Sequence, residues 1–261
     1  MKIPFIQPRT PLTLNKSQSE YIELLKKTIL NSIYYPGPHV PEGKVWPECP
    51  ALSMIGTKRL DNVQALVLDC LGKKVPGDFI EAGIWKGGVI ALIAGLLKIT
   101  TTQDRIVWGV DSFEGIPPAK PELYPADAAH IGCHTYEILK NNSQEDVIGY
   151  LDRLSLNSEN RIKIIKGWFS DVLPTLSPQK TNFALVRVDG DTYESTIQCL
   201  ENLEPRTNLG GYIVIDDYFS WTGCKQATDD YRAKKNIKEP LTTVDWTCVY
   251  WKKVKNTPSQ H

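Results

Sequence analysis

Two short stretches hold the residue types best suited to chemistry. One is Leu185-Val-Arg-Val-Asp189-Gly-Asp191 and the other is Tyr212-Ile-Val-Ile-Asp216-Asp217. Each is a run of mostly β-branched apolar residues that ends abruptly in acids. Such runs read as buried parallel strands. Open α/β sheets bind ligands just outside the carboxyl ends of their strands. Four carboxylates on one rim repel one another unless a cation sits among them, and a divalent ion that prefers oxygen ligands is the simplest solution. Capping of the following helix is the plainer use of any single Asp in such a place. Asp-Gly-Asp and Asp-Asp together, each at a strand end, favour the ion.

A second constellation lies upstream, in Phe79-Ile-Glu81-Ala-Gly83-Ile-Trp85-Lys-Gly87-Gly88. A short strand, a glycine turn and an apolar helix from Val89 to Leu97 have the layout of a nucleotide-binding loop. The turn departs from the dinucleotide pattern Gly-x-Gly-x-x-Gly. A pyrophosphate wants a helix N-terminus and bare backbone, whereas Trp85 and Lys86 crowd this turn and Glu81 would repel the phosphates. An acid suits a positively charged cofactor, and S-adenosylmethionine carries a sulfonium and an ammonium. The next strand, Arg105 to Asp111, ends where a Rossmann-like sheet carries its ribose-binding carboxylate. Asp111 could there take both ribose hydroxyls. Helix capping by Glu81 and Asp111 is the competing explanation.

These residues need a sheet to bring them together, and the chain alternates strand and helix as one requires. Ser17 with Glu20 resembles a capping box, opening a helix to about Asn31 with Tyr21, Leu24, Leu25, Thr28 and Ile29 on one face. The stretch Tyr34 to Pro50 is too rich in Pro and Gly for regular structure. Its aromatics, Tyr34, Tyr35 and Trp46, suit a lid, or an arm packed on the surface or on a partner subunit. Ala51 to Gly72 reads as a helix with an apolar stripe. Helices are also expected at Gln144–Leu154, Tyr193–Leu203 and Lys225–Lys235. Ile162–Lys166 is a third strand, the two acid-tipped runs are the fourth and fifth, and Leu241–Val244 with Thr247–Trp251 should close the chain as a hairpin. The expected architecture is a Rossmann-like α/β fold of the class I methyltransferase type. It has seven strands, mostly parallel with an antiparallel last strand, helices on both faces, and an N-terminal helical and lid extension.

Composition narrows the function classes. The 261 residues hold 30 basic and 30 acidic side chains, with no basic excess of the kind nucleic-acid binders show. No apolar run is long enough to cross a bilayer. The N-terminal residues lack an apolar signal core, so a cytoplasmic protein is expected. The six cysteines are scattered, without a Cys-x-x-Cys pair, which fits free thiols better than a zinc site or a disulfide framework. The four histidines show no metal-ligand spacing. His134 could serve as a base, but nothing fixes it near the strand ends.

Taken in order, Phe79-Ile-Glu-Ala-Gly-Ile-Trp-Lys-Gly-Gly, Asp111-Ser-Phe-Glu-Gly-Ile-Pro-Pro, Tyr124-Pro-Ala-Asp127, Lys166-Gly-Trp-Phe, Val188-Asp-Gly-Asp-Thr-Tyr-Glu-Ser-Thr and Ile215-Asp-Asp-Tyr resemble the macrocin O-methyltransferase family, of the TylF/MycF/NovP type. Met54-Ile-Gly and Arg59-Leu-Asp-Asn are similar to it too, and the resemblance runs from about Ala51 to Trp251. It implies an S-adenosylmethionine- and Mg2+-dependent O-methyltransferase that tailors natural products, mostly at sugar hydroxyls, and that assembles as a homodimer or larger homo-oligomer. By resemblance the metal ligands are Asp189, Asp216 and Asp217, and the general base is Asp191. Cofactor contacts fall on Glu81, Gly83, Asp111 and Ser112, with Phe113 and Trp168 beside the adenine and Met54 near the reactive centre. Core packing would equally explain Trp168 and Met54. The implied organisation is an arm and lid at 1–50, a methyltransferase domain at 51–254 and a disordered tail at 255–261. Lys86 replaces a usual arginine, and Ala129-His130 follows Asp127 where members carry glycine and an acid. Acceptor choice is therefore left open, and so are N-methylation, a peptide or polyol acceptor, and a non-catalytic binding module.

Overall fold

The apolar runs become short strands: β1 (Asp78–Ala82), β2 (Val107–Asp111), β3 (Ile162–Lys166), β4 (Phe183–Val188) and β5 (Thr207–Ile215). Two more, β6 (Thr242–Thr243) and β7 (Val249–Lys252), close the chain. Together they form a seven-stranded sheet in the order β3-β2-β1-β4-β5-β7-β6. Strands β1 to β5 pair in parallel, and β7 runs antiparallel to both β5 and β6, as the expected hairpin requires. The strand order reverses between β1 and β4, which opens a crevice beyond their carboxyl ends. The computed structural model describes residues 10–37, 43, 50–100, 104–131, 139–157, 161–176 and 181–256, with backbone only at Ala129 and His130. Most of the expected lid, His134 and the end of the expected tail lie outside the described residues.

Helices α1 (Lys16–Ile29), α2 (Gly56–Gly72), α3 (Gly88–Ile99) and α4 (Gln144–Arg153) precede the acid-tipped strands. A single-turn α5 (Phe169–Val172) follows β3, α6 (Tyr193–Leu203) joins β4 to β5, and α7 (Thr222–Lys234) follows β5. Side chains alternate across the sheet and build two cores. Phe79, Val107, Leu185, Tyr212 and Val214 pack with residues of α1 to α4. Ile80, Val110, Val186, Ile213 and Ile215 pack with Leu200 and Leu203 of α6 and Tyr231 of α7. Helix α3 is buried from Gly88 to Leu97, which its unbroken apolar sequence dictates.

Several boundaries differ from the sequence reading: the second strand starts at Val107 rather than Arg105, the last helix at Thr222 rather than Lys225, and the closing strands shorten to Thr242–Thr243 and Val249–Lys252. Three further differences have a visible cause. Helix α1 is capped by Asn15, whose side chain accepts the Gln18 N–H at 3.0 Å while Gln18 Oε1 accepts the Asn15 N–H at 2.9 Å. The capping box is therefore Asn15–Gln18, not Ser17–Glu20. The buried face turns with it to Ile22, Leu25 and Ile29, leaving Leu24 56% exposed. Leu25 lies over Gly95 of α3 so closely that a Cβ there would fall 2.4 Å from its Cδ2. Second, α2 starts at Gly56 because residues 51–55 form a strap: Leu52 N–H donates to Ile29 O at 2.7 Å and Leu52 O accepts from Gly88 N–H at 3.1 Å. Third, β5 begins at Thr207, five residues before Tyr212, since Thr207 pairs with Phe183 and Gly210 N–H donates to Lys253 O at 2.8 Å. The four described cysteines, Cys70, Cys199, Cys224 and Cys248, are free and buried, as the scattered spacing implied. Among the described residues no helix is long and apolar enough to cross a membrane.

Candidate active site

Parallel pairing sets Glu81 of β1 directly beside Arg187 of β4. Both point to the face that carries Phe79 and Leu185, because side chains two apart share a face. Arg187 is fully buried, and an unpaired charge there would be very costly. Its guanidinium meets acids from three strand ends. Nη1 donates to Glu81 Oε1 at 2.5 Å and to Asp189 Oδ2 at 2.7 Å, and Nη2 donates to Asp216 Oδ1. Arg59 of α2 reaches the same cluster from the other side. Its Nη1 donates to Asp216 Oδ2 at 2.6 Å, and its Nε lies 3.1 Å from Asp245 Oδ2 in the β6–β7 connection.

Asp189, Asp216 and Asp217 each offer a carboxylate oxygen, and these oxygens lie within 4.8 Å of one another. Their electrostatics differ. Burial pushes Asp217 well above the usual carboxylate range, and Asp191, Asp189 and Asp216 push it the same way. Burial and Asp216 likewise raise Asp189, with Arg187 opposing. Burial would raise Asp216 too, but Arg187 and Arg59 outweigh it and hold that carboxyl low. Asp217 Oδ2 is buried without a hydrogen-bond partner, an expensive state for a polar atom in the interior. Asp191 stands at the cavity wall on left-handed backbone, φ +56°, which few non-glycine residues adopt.

The cavity outside these strand ends has a volume of about 490 Å³. Glu81, Gly83, Asp111, Ser112, Trp168, Met54 and all four rim acids line it. Phe113 does not: its backbone is left-handed, φ +55°, and its side chain is buried in the core. Glu81 is 2% exposed, and burial drives its pKa from 4.5 up to about 8 against the opposing pull of Arg187. Glu81 Oε2 has no partner.

Gly83 owes its identity to a close approach. It sits at φ +88°, and a Cβ would lie 1.8 Å from the Asp189 carbonyl oxygen. Its absence lets the end of β4 close against the end of β1. Asp111 organises the same turn, since Oδ2 accepts the N–H groups of Ile84 and Trp85, both at 2.9 Å, and Oδ1 accepts Phe113 N–H at 2.8 Å. A carboxylate has about four acceptor positions, so three are already engaged. The two-hydroxyl ribose contact expected from the sequence would have to share what remains. Ser112 Oγ braces the loop, donating to Gly115 O and accepting from Glu114 N–H, each at 3.0 Å.

Sequence reasoning missed Arg187, Arg59 and Asp127 as parts of the site. A lone arginine inside a buried apolar strand was the available signal for the first. Asp127, 1% exposed, accepts the Tyr193 N–H at 2.7 Å and the Glu194 N–H at 3.3 Å, capping α6 just past the Asp191 loop. Aromatic residues Trp85, Trp168, Phe169, Trp221 and Trp246 also line the cavity. Trp246 is 41% exposed, with the Arg59 guanidinium 6.0 Å from its ring centre.

The strand order, the antiparallel β7 and a cavity at the β1/β4 reversal define a class I, S-adenosylmethionine-dependent methyltransferase. Comparison with known proteins narrows this. The macrocin O-methyltransferase (TylF) family model matches residues 37–253, and the chain belongs to that family. It is 37% identical to demethyldecarbamoylnovobiocin O-methyltransferase of Streptomyces niveus over 256 residues, covering 92% of this chain and 96% of the relative. It is 35% identical to 8-demethyl-8-(2,3-dimethoxy-alpha-L-rhamnosyl)-tetracenomycin-C 4'-O-methyltransferase of Streptomyces olivaceus over 245 residues, covering 89% and 92%. The solved structure of the O-methyltransferase NovP superposes with a TM-score of 0.84 at 37% identity, covering 91% of this chain and 100% of that one. Membership in this family makes the protein an enzyme and removes the reading as a non-catalytic binding module.

Proposed function

We propose that this protein transfers a methyl group from S-adenosylmethionine to a hydroxyl of a natural product, most simply one of two neighbouring hydroxyls on a sugar, with Mg2+ held by Asp189, Asp216 and Asp217. The observation that carries the proposal is the convergence of those three carboxylates, within 4.8 Å, on the wall of the main cavity. The donor set is all oxygen, which suits Mg2+. The partnerless Asp217 Oδ2 is the buried atom such an ion would satisfy. A bound divalent ion would supply a Lewis acid that lowers the pKa of a coordinated hydroxyl and orients it.

The chain's own residues supply the rest. Glu81 Oε2, buried and without a partner on the cavity wall, fits the cofactor's ammonium. The cofactor supplies a methyl on a sulfonium, which leaves without help from a protein acid. Asp191 accepts the proton of the acceptor hydroxyl. A carboxylate is a weak base for a free alcohol, so the hydroxyl must be acidified where it binds. The aromatic wall excludes water and offers faces for a sugar ring or a planar aglycone. Gly43 lines the cavity, and its carbonyl accepts from Arg59 Nη2 at 3.1 Å, so backbone at this position stands beside the acid cluster. Both relatives described above are named as O-methyltransferases, and one name contains a dimethoxyrhamnosyl group, which supports oxygen over nitrogen as the acceptor atom.

Asp191→Asn is the test. It should lower kcat by about 10²- to 10⁴-fold, the usual worth of a positioned base, and leave the Kd for S-adenosylhomocysteine within about twofold. Wild-type turnover in the variant would remove Asp191 from the mechanism.

A further inference from the structure

A buried strand in the middle of a sheet has no use for an arginine on packing grounds alone. Leu185 and Val214, neighbours of Arg187 on the same face, show what the core accepts there. Arg187 is 0% exposed and spends its fork on Glu81, Asp189 and Asp216. Two of these are the proposed ion ligands, and the third is the acid placed for the cofactor. The three acids come from the ends of three different strands, so no local sequence preference sets their mutual distances. The sheet register brings the strand ends near one another, and one rigid, planar group then bonds to all three acids. Arg187 takes one oxygen of Glu81 and one of Asp189, and the other Glu81 oxygen, Oε2, is buried without a partner.

We infer that Arg187 is a positioning residue for the reaction: its guanidinium fixes Asp189 and Asp216 in the orientation that receives the divalent ion, and turns Glu81 to present its free oxygen to the cofactor. Arginine suits the task because its fork is flat and presents donors in fixed directions. A lysine ammonium is a point charge on a flexible stem and cannot bridge three acids with the same geometry. Groups of this kind, behind the ligands of a metal, commonly hold the ligands' orientation. The inference rests on the metal-dependent reading above.

The experiment measures Mn2+ affinity by electron paramagnetic resonance in the wild type and in Arg187→Lys, with S-adenosylhomocysteine present. Melting temperature serves as the control for folding. The variant keeps the charge and should fold, but its Mn2+ affinity should fall about 10- to 100-fold. A folded Arg187→Lys that binds Mn2+ as tightly as wild type overturns the inference and leaves the metal reading intact. A wild type that binds no Mn2+ overturns the metal reading, and this inference with it. If the variant does not fold, the wild type decides: with selectively ¹⁵N-labelled arginine, the Arg187 Nη signals should stay protected from solvent exchange before and after Mg2+ is added. Loss of that protection on adding Mg2+ would show the guanidinium letting go of its acids, which overturns the inference.

Discussion

Glu81 concentrates the electrostatic logic of the site in one side chain. It is buried, touches a buried guanidinium with one oxygen, and keeps the other without a partner. Burial raises its pKa from 4.5 to about 8. A carboxyl that holds its proton more tightly when folded stabilises the fold fully below its unfolded pKa, and that contribution is lost as pH rises through the folded value. The window here runs from about pH 4.5 to about pH 8. Glu81→Gln keeps the shape and removes the titration. Urea unfolding of metal-free protein across that window should therefore show a flatter fall in stability for the variant than for wild type, and parallel curves would contradict the assignment. The acids were legible in the sequence because each interrupts an apolar run at a strand end. Arg187 was equally visible as a residue but not as a partner. What joins it to Glu81 is the β1–β4 pairing register, a tertiary fact that no local pattern encodes. Phe113, expected beside the adenine, has left-handed backbone and a side chain buried in the core and is not among the residues that line the cavity.

At the scale of elements, the site depends on how closely two strand ends approach. Gly83 follows β1 and lies against the carbonyl of Asp189, which follows β4. Any side chain there must push the Asp189 loop away or leave β1 out of register. Gly83→Ala should cost about 1–3 kcal/mol from left-handed strain alone, before the steric overlap is counted. It should also weaken divalent-ion and cofactor binding together, which calorimetric titration of each ligand would read. Loss of stability with both affinities intact would mean that the approach of the two strands does not build the site. The alternation of strand and helix was readable from apolar periodicity, and the limits of α6 fell where the pattern put them. The start of α2 did not, because Leu52 bonds to the end of α1 and the start of α3 rather than to a helix of its own. That strap, invisible as a pattern, brings Met54 to the cavity wall.

For the whole molecule, the sheet's order gathers carboxylates from β1, β4 and β5 at one crevice, and two arginines neutralise part of their charge from within the protein. Family membership and a TM-score of 0.84 to NovP fix the class of chemistry. What remains to be tested is the ion. The most direct measurement is anomalous scattering at the manganese edge from crystals grown with Mn2+ and S-adenosylhomocysteine. The account predicts a single strong peak per chain, in coordinating contact with Asp189, Asp216 and Asp217 and lost in Asp217→Asn. No peak at those carboxylates, or one that survives the substitution unchanged, would contradict it.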